Sequence, residues 1–169
     1  NSSSFLKGAV NAGVGFWGMW LAHFGLIISA TGVVLVSNYD IQRDFRMEAG
    51  SSVEVEDYRF EFESIQFKKG PNYSSDHGII NVFKNDHKIA QLEPEKRFYQ
   101  VQGSVMTEAG IDSNLLRDLY ASLAEPLDED RQVWSVRIQL KPFVSWLWMG
   151  ALFMSIGAVL SITDKRYRR

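Results

Sequence analysis

Two long stretches without a single Asp, Glu, Lys or Arg constrain this chain more than anything else in it. One lies between Lys7 and Asp40, the other between Lys141 and Asp164. A bilayer core of about 30 Å needs roughly 20 apolar residues at about 1.5 Å each, and Trp17 to Val36 and Phe143 to Ile162 both meet that length. The overall apolar content of 46% over 169 residues would also suit one soluble domain, but an average hides this uneven placement. The segments therefore read as transmembrane helices over 16–37 and 142–163. A signal peptide fits the first one poorly: its apolar run is too long, and Ser37, Asn38 and Tyr39 make a poor cleavage site. Because the chain starts with Asn1 rather than Met, it reads as part of something longer or as a processed form.

Charge sets the expected topology. Lys165, Arg166, Arg168 and Arg169 follow the second span directly, and short basic flanks stay on the cytoplasmic side. Residues 164–169 are then a basic cytoplasmic tail and residues 1–15 a cytoplasmic or membrane-surface segment. The region 38–141 is extracytoplasmic. That region is net acidic, which argues against a nucleic-acid partner. The absence of cysteine excludes disulfides and thiolate metal sites.

Between the spans the periodicity is that of strands. Tyr58, Phe60 and Phe62 alternate with Arg59, Glu61 and Glu63, and the apolar positions then shift to Ile65 and Phe67, which places a bulge near Glu63 and Ser64. Gly70, Pro71 and Asn72 supply a turn. Gly78 to Lys84 and Lys88 to Leu92 read as paired strands joined across Asn85, Asp86 and His87. Arg97 to Gln102, Val105 to Thr107 and Val133 to Leu140 add further strands. Asp112 to Leu123 fits either a short helix capped by Asp112 or Ser113, or a turn leading into a strand. The expected fold is two transmembrane helices flanking an antiparallel β-barrel or sandwich-like domain.

His23 is the one ionisable side chain inside either span, and such residues are costly enough to mark function. A neutral imidazole there needs a partner side chain, a water or a metal such as haem iron; a hydrogen bond to a neighbouring helix is the plainer alternative. Gly18, Ala22, Gly25, Ser29 and Gly32 form a row of small residues that lets another helix approach. His77 and His87 fall in expected turns, where solvated polar residues belong. Glu93, Glu95, Lys96 and Arg97 read as a solvated turn, or, with Tyr99, as a polar contact surface. No triad, Walker or zinc signature is present.

The chain resembles the C-terminal part of the CcmF and NrfE-type membrane subunits of cytochrome c maturation. The resemblance rests on an ordered set: Leu21-Ala22-His23-Phe24-Gly25, Gly70-Pro71-Asn72-Tyr73, Leu92-Glu93-Pro94-Glu95-Lys96-Arg97 with Tyr99, Met106-Thr107-Glu108-Ala109, Asp118-Leu119-Tyr120, and Lys141-Pro142-Phe143. It implies a haem lyase of the bacterial inner membrane, with the region 38–141 periplasmic. His23 would match a ligand to the iron of a b-type haem, its second axial ligand coming from outside this chain. Partners implied besides lipid are the rest of the parent protein, CcmE, CcmH and CcmI type proteins, and apocytochrome c. The tryptophan-rich loop of that family is absent here, so the chain alone is not expected to catalyse haem attachment. The alternative is a non-enzymatic two-span protein whose external β domain binds a partner.

Overall fold

Residues 13–164 are described in a computed structural model of the chain. They divide into two compact units, a helical one and a β unit formed by residues 40–142. The expectations resting on Lys7 and on the basic tail Lys165, Arg166, Arg168 and Arg169 lie outside the described residues.

In the helical unit, α1 (Val14–Tyr39) and α2 (Val144–Thr163) are both long and apolar enough to cross a membrane, with mean hydropathies of 1.9 and 1.7. Only 11% of each apolar window is buried. A soluble core helix would be mostly covered, so these surfaces suit lipid. Gly18, Gly25 and Gly32 of α1 and Gly150 and Gly157 of α2 are buried. They recur every seven residues, a spacing that keeps them on one helical face. A Cβ on Gly25 would lie 2.6 Å from the carbonyl oxygen of Gly150, and one on Gly157 would lie 2.5 Å from that of Gly18. Backbones therefore touch, which only glycine permits. Ser29 Oγ donates to Leu147 O at 3.1 Å, and the Gly15 amide at the start of α1 donates to Asp164 Oδ2 at 2.8 Å. The carboxylate thus answers the exposed amides of a helix start.

The β unit is two antiparallel sheets. The first runs β1 (Ile41–Glu48), β10 (Val133–Pro142), β9 (Arg117–Pro126), β8 (Gly110–Ser113); the second runs β2 (Ser52–Val55), β3 (Tyr58–Lys69), β4 (Tyr73–Lys84), β6 (Glu95–Tyr99), β7 (Ser104–Glu108). The two halves of β4 pair with β6 and with β5 (His87–Leu92) in turn. Phe60, Phe62, Ile80 and Val82 of one sheet meet Leu119, Leu123, Trp134, Val136 and Ile138 of the other in a closed core. The fold is thus the expected one of two helices flanking an antiparallel sandwich.

The register shift in β3 falls between Phe62 and Ser64, where the alternation breaks. Asn85 and Asp86 take positive φ in the turn before β5. Asp112 to Leu123 resolves as β8, a turn and β9, because Leu119, Ala121 and Leu123 line up on the core side with period two. Leu115 and Leu116, which suggested a helical face, are exposed in the turn. His77 corrects its expectation: it sits within β4, 4% exposed, not in a turn. Glu95, Lys96 and Arg97 belong to strand β6 rather than a solvated turn. The strands β1 and β2 were not anticipated from the sequence, although Val53 and Val55 alternate with Ser52 and Glu54 in β2.

Candidate functional site

His23 lies on the open side of α1. It stands two positions before Gly25, so at about 100° per residue the two positions face roughly 160° apart. Gly25 faces α2, while His23 and its neighbours Phe16, Trp20 and Ile27 are exposed. His23 Nδ1 lies 2.8 Å from the carbonyl oxygen of Met19. A carbonyl can only accept, so Nδ1 donates to it, and Nε2 is the ring nitrogen left to bind a metal. That is the tautomer a metal-ligating histidine takes when its other nitrogen is fixed by a backbone carbonyl. The side chain present thus fits a single imidazole ligand to a metal such as haem iron, which it would hold through Nε2. No group of three or more His, Asp or Glu able to hold an ion by itself occurs among the described residues.

The β unit gathers charges on both faces of its larger sheet. On the outer face, His77 Nδ1 lies 2.9 Å from Glu95 Oε1, and Arg97 Nε donates to Glu95 Oε2 at 2.7 Å and Nη1 reaches Glu108 at 3.3 Å. The guanidinium also stacks over Tyr73, 4.9 Å from its ring centre. Burial by itself would push the Glu95 carboxyl up, but the hydrogen bonds from Arg97 and His77 outweigh it and hold the carboxyl below the usual range. On the inner face, a cleft of about 250 Å³ opens where the smaller sheet ends, lined by Phe67, Asp76, Lys96, Phe98, Val105 and Arg131 among others. Lys96 Nζ bonds Ala124 O and Glu125 Oε1, and Arg131 pairs with Asp76 at 3.1 Å. Burial raises the Asp76 carboxyl, and the charges of Arg131 and Lys96 only partly offset this.

Sequence reading did not anticipate the part played by His77. The usable signal was the spacing from Asp76 to Val82: with Ile80 and Val82 inward, His77 must share the outer face with its cross-strand partner Glu95. His87 is exposed at the start of β5 and takes no part. Each cation lining the cleft has an acidic or carbonyl partner, so these pairs tie strands together, and Ser75 Oγ beside them is buried without a hydrogen-bond partner.

Helices of spanning length before and after an antiparallel sandwich in the chain define a membrane-anchored β domain. The model of the family described as "CcmF C-terminal beta-sandwich" matches residues 38–142, and the chain belongs to that family. It is 49% identical over 163 residues to a cytochrome c-type biogenesis protein CcmF of Pseudomonas aeruginosa, covering 96% of this chain and 24% of that protein. Against the CcmF of Escherichia coli K12 the identity is 42% over 154 residues, covering 91% and 24%. A probable NrfE of the same organism is 33% identical over 141 residues, covering 83% and 25%. The solved structure of a cytochrome c haem lyase CcmF superposes with a TM-score of 0.73 at 13% identity, over 87% of this chain and 24% of that one. The chain thus spans about a quarter of the length of the curated relatives it matches.

Proposed function

We propose that this chain is the C-terminal part of a haem lyase that attaches haem to the CxxCH thiols of apocytochrome c, and that His23 is an axial ligand of a b-type haem in the membrane. The observation that carries the reading is the placement of His23: Nδ1 is held by Met19 O at 2.8 Å and the ring stands on the face of α1 opposite the glycine seam. The matched relatives are named for cytochrome c biogenesis, and the solved relative for haem lyase activity.

In this reading α1 and α2 anchor the chain in the bacterial inner membrane as the spans 16–37 and 142–163. The ends 1–15 and 164–169 are cytoplasmic and the domain 38–141 is periplasmic. The packed face of α1 fixes the helix, and the carbonyl of Met19 fixes the ring. When bound, the haem supplies one-electron chemistry. The His23 side chain then orients it, with the second ligand from a segment beyond this chain. The β unit is a periplasmic platform for the rest of the parent protein, for CcmE, CcmH and CcmI type proteins, and for apocytochrome c.

The test is His23→Ala in the full-length protein, purified from membranes and read by its haem absorption. The expected result is loss of the b-type spectrum with the protein still inserted. An undiminished spectrum removes the ligand assignment.

A further inference from the structure

The turn between β8 and β9 ends in two adjacent leucines, Leu115 and Leu116, which are 68% and 61% exposed. Turn tips are ordinarily built from Gly, Pro, Asn, Asp and Ser. These leucines contribute nothing to the core of the β unit. The tip is nonetheless firmly built. Asn114 Oδ1 accepts from the amides of Leu116 and Arg117, both at 2.9 Å, and the Asn114 amide donates to Arg117 O at 3.0 Å. Arg117 is itself anchored by Asp112 and sits 5.3 Å from the ring centre of Tyr58. The leucines are therefore held outward by a satisfied backbone rather than left out by a loose one.

The register shows where they point. Arg117 pairs with Pro142, and Asp118 with Lys141. Ile41 pairs with Leu140. The tip thus lies at the end of the smaller sheet from which the chain leaves in both directions, for Tyr39 of the first apolar segment and for Phe143 before the second. We propose that Leu115 and Leu116 enter the interfacial layer of the same bilayer that the spans cross, with Tyr58 and Arg117 at headgroup level, so that the tip is a third membrane attachment of the β unit. Adjacent exposed leucines beside an aromatic ring, with the one neighbouring cation neutralised by Asp112, are a composition that partitions into that layer. The occupant is lipid, on the argument that the strand ladder brings the tip level with the residue that precedes a span.

The chain contains no cysteine, so Leu115→Cys and Leu116→Cys can each carry a single nitroxide in lipid nanodiscs. Val101→Cys serves as the reference, since Val101 is 92% exposed in the turn at the far end of the larger sheet. Collision rates with membrane-dissolved oxygen and with a water-soluble nickel chelate are then compared. The expected result is a ratio of oxygen to nickel accessibility several-fold higher at both leucine positions than at Val101. A ratio equal to that of Val101 would place the tip in water. Protection from both reagents would place it against protein. Either outcome overturns the proposal.

Discussion

Replacing Gly150 by alanine is the sharpest test of the helix pair. A Cβ at that position would stand 2.5 Å from Gly25 O and 2.7 Å from Ser29 N, both backbone atoms that cannot rotate away. Ordinary contact begins near 3.4 Å, so α1 and α2 must separate by about 0.9 Å, the difference between 3.4 and 2.5. A gap of about that size forfeits a quarter to a half of each contact's attraction, and over roughly 20 to 30 atom pairs at about 0.15 kcal/mol each this amounts to about 1–2 kcal/mol. Lengthening of the Ser29 to Leu147 hydrogen bond, now 3.1 Å, adds about 0.6 kcal/mol. Gly150→Leu has nowhere to go and should separate the helices altogether. The assay is a spin-label distance between Ile27→Cys and Trp148→Cys, which sit on the outer faces of the two helices, 62% and 75% exposed. Gly150→Ala should lengthen and broaden the distribution slightly and lower the thermal midpoint of the reconstituted chain, and Gly150→Leu should move the whole distribution to longer distances. If Gly150→Ala leaves both unchanged, the backbones do not meet at this glycine.

Two further perturbations read the charges of the β unit. Glu95 holds its carboxylate below the usual range in the fold, so its contribution is present above the ordinary carboxyl value and is lost as pH falls through the folded one. Glu95→Gln should cost about 1–3 kcal/mol near neutrality, since His77 and Arg97 lose a charged acceptor, and should flatten the acid limb of a urea titration followed by the β signal in circular dichroism. A limb identical to that of the unsubstituted chain would show that this network is not what acid disrupts. Asp76 has the opposite sign: its carboxyl is raised by burial, so the unfolded chain releases that proton first and stability falls as pH climbs from the ordinary value to the folded one. Asp76→Asn should therefore match the unsubstituted chain in acid and equal or exceed its stability at pH 7. A loss of more than about 1 kcal/mol at pH 7 would mean that the ion pair with Arg131, 3.1 Å long, outweighs the burial penalty.

Much of this molecule is written in local pattern. Two uncharged runs are enough to define α1 and α2, because length and apolarity are what a bilayer demands of a helix. The bulge in β3 was visible as a broken alternation at Glu63 and Ser64, since a two-residue period cannot skip a position without an extra residue in the strand. The small-residue row of α1 likewise announced a close helix neighbour. The 100° step along α1 already turns His23 away from the small-residue row, but the sequence did not reveal that the neighbour is α2; pairing between segments more than a hundred residues apart settles that. The ambiguity of Asp112 to Leu123 was of the same kind. Its leucines satisfy a helical face and a strand face equally, and the tie is broken only by the ladder that β9 makes with β10. His77 is the plainest case. Its neighbour Asp76 suggested a solvated turn, and only the pairing of β4 with β6 sets it beside Glu95 and buries it, because burial belongs to the sheet and not to the residue.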